Sequence, residues 1–439
     1  MGRVLRMRKR KKKNPKPDLY KNSTLEYVEL VKWMKELGWK PTCKLVSSYF
    51  QNTGRGMIAK ENIFAGSTIA KIPYRLLITV KTVLESKIGW IFSRHKFFTT
   101  QQVLSVFLVW ERHLGEFSTW NKYINCLPKT FSCPAYCNNI DWLPSNLKEK
   151  TKDIQNNILK TYHAVVNIID KKKCDHCNTF LSSIFAYEMY SWAWCIVSTR
   201  AVYLCPSTIL QSYVLLSDEN NLALAPYIDF FNHNCCAEVK AYIVESEGIY
   251  QIETLIPFSK NSEIFINYGP LSNDRLFIDY GFIIPSNIQD IVSFSYDNVL
   301  DAVNEIIPSN KYINEYRCRF LKEKKLFTDV SCHADGLSWD CQALIFVFSC
   351  PPDVKIEEIK RSIFSNKFKN HSWDIICRVV KVIINKKLNE YEKESSELMI
   401  KHGEITKMYG ECFTFVRGLL GEHIKLLNKC ALSLETEKK

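Results

Sequence analysis

Strand-like sequence falls in two blocks, residues 54 to 80 and 237 to 267, with a long helical stretch between them. No other feature constrains the fold as much. Strands that share a sheet must be drawn together across the insert, and the chain ends of both blocks then meet. In the first block, Met57-Ile58-Ala59, Thr68 to Pro73 and Leu76 to Val80 read as strands, with a turn at Ala65-Gly66-Ser67. In the second, Ala237 to Glu245 and Ile249 to Leu255 form a hairpin around Ser246-Glu247-Gly248, and Ser262 to Asn267 is a further strand.

Between the blocks, Val103, Leu104, Phe107 and Leu108 recur at helical spacing, as do Ile154, Ile158, Tyr162 and Val165. Ile184 to Val197 is rich in aromatic residues and suits a helix buried on most sides. An earlier helix spans Leu25 to Leu37 and stops at Gly38. Toward the C-terminus, Ser372 is a plausible N-cap for Trp373, Ile376, Val380, Ile383 and Leu388. Phe413, Val416, Leu420, Ile424 and Leu427 mark a last amphipathic helix. The expected class is α+β: a β-rich core interrupted by a helical insert, then a helical C-terminal domain. At 439 residues the chain exceeds one usual core, so two or three domains are expected.

Composition narrows the function classes. No run of about 18 apolar residues suits a membrane span, and Ala343 to Cys350, the longest clean apolar stretch, suits a buried element. The N-terminus lacks the apolar core of a secretory signal. The 17 cysteines therefore read as reduced intracellular thiols, many of them small core residues. The net charge of +13 favours acidic partners. Much of it lies in Arg3, Arg6 and Arg8-Lys9-Arg10-Lys11-Lys12-Lys13, a self-repelling tail over residues 1–24. It reads as a nuclear-import signal, a nucleic-acid or chromatin-binding arm, or a solubilising tail. The corresponding localisation is nucleus and cytosol.

Several constellations carry chemistry. Gly54-Arg55-Gly56 precedes a strand, where paired glycines allow close backbone approach to a ligand or simply a tight turn. Asn232-His233 ends an apolar segment that begins near Asp229, and buried polar side chains there need partners. Tyr268 and Tyr280 each precede a glycine; they are either amphipathic core tyrosines or a pair of hydroxyls lining a slot. Arg200 follows the buried aromatic segment and must be paired or face an anion unless it reaches the surface. Cys133 and Cys137, with Cys174 and Cys177, could offer four thiolates to zinc, the second pair at ligand spacing and the first looser; 17 cysteines also form such pairs by chance, and no metal is expected.

Taken in order, these residues resemble the SET-domain methyltransferases, in the branch typified by the Rubisco large-subunit lysine methyltransferase. The resemblance is carried by Gly54-Arg55-Gly56-Met57, Trp120, Tyr123-Ile124, Leu127-Pro128 and Thr199-Arg200-Ala201. Pro226, Asp229, Asn232-His233, Tyr268-Gly269 and Asp279-Tyr280-Gly281-Phe282 complete it, so it covers about residues 50 to 285. It implies a pseudoknotted SET domain over 25–285 with a helical insert near 96–197, and an all-helical substrate-binding domain over 286–439. It also implies S-adenosylmethionine as cofactor and protein-lysine N-methylation, of histone H3 or H4 or of non-histone proteins, by a monomer. By motif, Gly54-Arg55-Gly56 holds the methionine and ribose side of the cofactor, Arg200 its carboxylate, and Asn232-His233 its adenine and amino end. Tyr268 lies beside the transferring methyl, and Asp229 and Tyr280 line the target-lysine channel. Asn261-Ser262 departs from the family's frequent Gly-Glu, a turn that Asn tolerates. The actin-histidine branch lacks a tyrosine at the place of Tyr280, which favours lysine. A non-catalytic SET-like binding module and a protein-histidine methyltransferase are the alternatives.

Overall fold

The computed structural model describes residues 24–93, 98–204, 222–366, 368–400 and 402–436. The basic tail before Thr24 lies outside the described residues. The chain divides into two compact units. One runs up to Thr130 and resumes over Ile158–Tyr268; the other joins Phe131–Asn157 to Gly269 onward.

The first unit holds nine short strands among its described residues. They are β1 (Leu45–Phe50), β2 (Gly54–Ala59), β3 (Thr68–Pro73), β4 (Ala201–Tyr203), β5 (Leu222–Leu224), β6 (Asn232–His233), β7 (Val239–Val244), β8 (Ile249–Thr254) and β9 (Glu263–Ile266). Both strand blocks contribute to shared sheets, as their pattern required. One sheet has the order β1-β2-β9-β6, a second β3-β8-β7, and β4 pairs with β5. In the first sheet β2 runs antiparallel to β9, through Met57 opposite Ile264, while β6 runs parallel to it, through His233 opposite Ile266. Strand β9 is thus flanked by two segments from distant parts of the chain. The β7–β8 hairpin turns at Gly248, whose φ of 62° is open to glycine. Asn261 has φ 66° ahead of β9, so the asparagine does take the turn that replaces a glycine.

Two local readings change. Leu76 to Val80 is strand-like at one residue alone: after a 3-10 turn at Tyr74–Leu76, Ile78 makes a single antiparallel bridge to Leu224, and a helix begins over Val80–Leu84. Thr79 caps that helix by exchanging hydrogen bonds with Thr82, and the cap outweighs the β propensity around it. Strand β1 was not foreseen; its Ser47 and Ser48 blur the alternation, and its pairing with β2 from Leu45 to Phe50 supplies the order.

Between the two strand blocks the helical periodicities do form helices, Thr100–Leu114, Ser145–Ile169 and Tyr187–Arg200. Thr99 and Gln102 make a reciprocal cap at the first. Tyr190 to Val197 of the last are all buried.

The second unit is mainly helical, with a small three-stranded sheet. Its boundary is Gly269 rather than 286, and it includes residues 131–157, which had been counted with the insert. Burial explains this: Cys137, Trp142, Leu143 and Leu147 belong to the same core as Phe277, Phe413 and Leu427. Ala343 to Cys350 lies mostly in a buried helix, Trp339–Ser349, as its composition required. The helix expected from Ser372 spans Phe368–Ile400. Phe368, buried against Phe346 and Trp339, places helical backbone one turn ahead of Ser372.

Candidate active site

Strand order brings three distant segments of the first unit together. Asn232 Nδ2, on β6, donates to the carbonyls of Thr53 at 3.2 Å and Arg55 at 3.1 Å. It also donates to Glu263 Oε1, on β9, at 2.8 Å, and the same carboxylate accepts from Thr53 Oγ1 at 2.7 Å. The Gly54-Arg55-Gly56 backbone is therefore clamped by a side chain from the far end of the unit. Burial pushes the Glu263 carboxyl up, opposed by the Asn232 and Thr53 donors. Glu263 was not among the expected site residues; a lone carboxylate opening an apolar strand was its available signal.

Gly54 has φ 70°, a conformation that glycine reaches without strain. Gly56 is restricted by space instead. A Cβ there would collide with the Glu263 carboxylate and lie 2.7 Å from Asn232 Nδ2. Gly56→Ala is expected to cost about 1–3 kcal/mol, the usual range for overpacking. Urea unfolding measures this; a midpoint equal to that of the wild type would show that the clamp yields freely.

Tyr268 lies two residues after β9 and is held at both of its polar groups. Its amide donates to His233 Nδ1 at 3.1 Å, and its hydroxyl donates to the Phe231 carbonyl at 2.7 Å. The His233 and Tyr268 rings stack with centroids 5.0 Å apart. Burial holds the His233 imidazole below its ordinary pKa of 6.5, so the neutral ring accepts from Tyr268. A depressed folded pKa means the unfolded chain binds the proton more readily. The resulting stability is complete above about pH 6.5 and is lost as pH falls through the lower folded value. Melting temperatures should fall below pH 6.5 more steeply for the wild type than for His233→Asn. Parallel profiles would remove His233 as the cause.

A second cluster lies at Asp229. Tyr227, in left-handed backbone at φ 76°, turns the chain so that the Asp229 carboxylate points inward, with its side chain 1% exposed. Arg200 donates to the Asp229 carbonyl at 2.7 Å and lies 3.4 Å from its carboxylate, which also accepts from Tyr123 Oη at 3.2 Å. The Arg55 side chain turns inward as well, donating to the Cys126 carbonyl at 2.8 Å and lying over the Phe230 ring at 4.4 Å. Burial raises the Asp229 pKa, against the pull of Arg200 and Arg55. Asp229 was expected to line a substrate channel. Its carboxylate is buried as the internal counter-ion of Arg200, with Tyr123 as a second partner.

Tyr280 belongs to the second unit. Burial raises its phenol pKa, with the Asp279 charge adding to the effect. Gly281 follows at φ 80°, packed so closely that a Cβ would lie 2.8 Å from Ser132 Oγ. Ser132 Oγ donates to the Gly281 carbonyl at 2.7 Å.

The four candidate zinc thiolates are divided between the two units. Cys133 and Cys137 are buried in the second unit, where Cys137 Sγ lies 3.7 Å from Cys412 Sγ, while Cys174 and Cys177 belong to the first. Spacing along the chain could not reveal that the two pairs belong to different units.

Residues 54–269 match the SET domain model, a span bounded by Gly54 and by the residue after Tyr268. SET domain-containing protein 4 from Mus musculus is 31% identical over 77% of this chain and 76% of its own length. The chain belongs to the SET-domain family. SET domain-containing protein 4 from Homo sapiens is 28% identical over 99% of this chain and 98% of its own length. Among solved structures, the SET domain of LSMT bound to lysine and AdoHcy aligns with 94% of this chain and 91% of that chain, at a TM-score of 0.63 and 18% identity. That level of likeness shows a shared fold. Within this SET domain, β2, β6 and β9 mount the Gly54-Arg55-Gly56, Asn232-His233 and Tyr268 motifs at one end of a single sheet.

Proposed function

We propose that this chain is an S-adenosylmethionine-dependent protein-lysine N-methyltransferase. The junction at Tyr268 carries the reading: one tyrosine, fixed at amide and hydroxyl, follows the strand that lies between the Gly54-Arg55-Gly56 and Asn232-His233 segments. Relatives support it. Ribosomal lysine N-methyltransferase set11 from Schizosaccharomyces pombe is 23% identical over 75% of this chain and 76% of its own length.

The residues fit the cofactor. Arg55 and Arg200 share one buried carboxylate, and Arg200 Nε is buried without a hydrogen-bond partner. Excess positive charge and an unsatisfied buried donor suit an anionic group. We assign the cofactor's carboxylate to Arg200, its adenine and amino end to Asn232-His233, and its methionine and ribose side to the Gly54-Arg55-Gly56 backbone. Bound there, the cofactor supplies an electrophilic methyl group on a sulfonium.

The chain's own part is orientation and exclusion of water. A lysine amine has an unperturbed pKa of about 10.4, and an apolar slot favours its neutral, nucleophilic form. The Tyr268 hydroxyl and main-chain carbonyls orient its lone pair, with no strong general base. Such alignment contributes roughly 7–11 kcal/mol. Tyr280 is assigned to recognition of the amine.

The basic N-terminal arm supports chromatin-associated targets, histone H3 or H4 tails among them, with residence in nucleus and cytosol. Non-histone proteins are the other target class. Purified protein with radiolabelled cofactor, offered histones and a whole lysate, tests the reading. Label is expected on lysine, and mass spectrometry of the product reads the residue. Label on histidine would overturn the Tyr280 assignment. Failure to bind cofactor by calorimetry would leave a non-catalytic binding module.

A further inference from the structure

The Cys174-Asp175-His176-Cys177 turn has no part in the reaction proposed above, yet it is built for a ligand. Cys174 Sγ, Cys177 Sγ and a ring nitrogen of His113 all lie within 4.8 Å of one another. Cys177 Sγ and His113 Nε2 are 3.3 Å apart. Tetrahedral zinc with Zn–S near 2.3 Å and Zn–N near 2.0 Å sets its ligand atoms about 3.5–3.8 Å apart, so small side-chain rotations close the set.

The backbone is arranged to aim both thiols at one point. The Cys174 amide donates to the Thr179 carbonyl at 2.8 Å, and the Asn178 amide returns to the Cys174 carbonyl at 2.8 Å. Asn178, directly after the second cysteine, takes φ 58°, and Lys173 bridges to Phe180 across the turn. The loop is thereby folded back so that residues three apart present their side chains together. His113 comes from a separate element, the last turn of helix Thr100–Leu114. Cys174 is buried and Cys177 exposed, which leaves one side of the cluster open to solvent.

We propose that His113, Cys174 and Cys177 bind one zinc ion, with a solvent molecule or His176 of the same turn in the fourth position. The ion staples the loop after helix Ser145–Ile169 to the end of helix Thr100–Leu114. Binding couples to folding of that loop, because the ligands come from elements far apart in sequence. The two thiolates release their protons on binding and balance the charge of the ion.

Full-length protein purified in reductant without chelator is expected to carry about one zinc per chain by elemental analysis. Cobalt added to the metal-free reduced protein should give thiolate charge-transfer bands and the intense visible bands of tetrahedral coordination. Cys177→Ser, at an exposed position, should weaken zinc binding more than about 100-fold, beyond the loss typical of outer-shell partners. His113→Gln should weaken it too, and the Cys133→Ser/Cys137→Ser pair should leave it unchanged. Absence of both zinc and the cobalt spectrum would overturn the site, as would a spectrum that Cys177→Ser leaves intact. Metal-free protein that melts at the same temperature as the zinc form would overturn the stapling role.

Discussion

Tyr268→Phe is expected to lower the turnover of methyl transfer by about two to three orders of magnitude, the usual loss when one preorganised polar group is removed from a reacting centre. The hydroxyl donates to the Phe231 carbonyl at 2.7 Å, and its removal deletes that one hydrogen bond. Such a bond contributes about 1 kcal/mol to stability, so the variant should remain folded. The Tyr268 amide still reaches His233 Nδ1, so the backbone beside the cofactor segment keeps its anchor. The expected pattern is a fall in kcat with cofactor affinity nearly unchanged. Single-turnover transfer to a good substrate, with calorimetric binding of cofactor alongside, measures both. Transfer at the wild-type rate would remove Tyr268 from the reaction. An equal loss of cofactor affinity would instead make it a residue that shapes the binding pocket.

Asp229→Asn is expected to destabilise the first unit by about 3–5 kcal/mol, the range for removing one partner of a buried ion pair. The asparagine keeps the size of the side chain, so the effect reports charge. Arg200 loses its counter-ion, and Arg55 nearby lowers the stability further because two guanidiniums then face each other without an acid. Adding Arg200→Met should restore part of the loss, since the pair is coupled and its effects do not add. Urea unfolding of the two single variants and the double variant gives the coupling. A loss below about 1 kcal/mol for Asp229→Asn would show that the cluster is solvated and that Asp229 is free to act elsewhere.

Much of this molecule was legible because its elements obey local periodicities. Thr68 to Pro73 alternates and is a strand; Ile249 to Leu255 pairs across Gly248; Leu25 to Leu37 repeats at helical spacing and is a helix. The differences have two causes. Leu76 to Val80 has strand-like composition, yet pairing stops at the Ile78 bridge because the local cap at Thr79 starts a helix. Strand β1 lacks clean alternation and is defined by its partner. Ser372 has capping chemistry, but Phe368 packs into the core first. In the last two cases a contact outside the window overrode the local signal.

The site divides in the same way. The sequence alone determined which reactive side chains the chain owns and in what order: Gly54-Arg55-Gly56, Arg200, Asn232-His233, Tyr268 and Tyr280. That order carries the family. It could not determine which of them meet. Glu263 joins Asn232 and Thr53 because β9 lies between β2 and β6, an order set by long-range pairing. Asp229 became a counter-ion because Tyr123 and Arg200 converge on it from the insert, where burial makes an unpaired charge too costly. Cys174 and Cys177 meet His113, which belongs to the same unit, while Cys133 and Cys137 belong to the other. Periodicity is written in neighbouring residues and survives reading one segment at a time. Charge pairing and ligand geometry depend on residues that only the folded chain brings within a few ångströms.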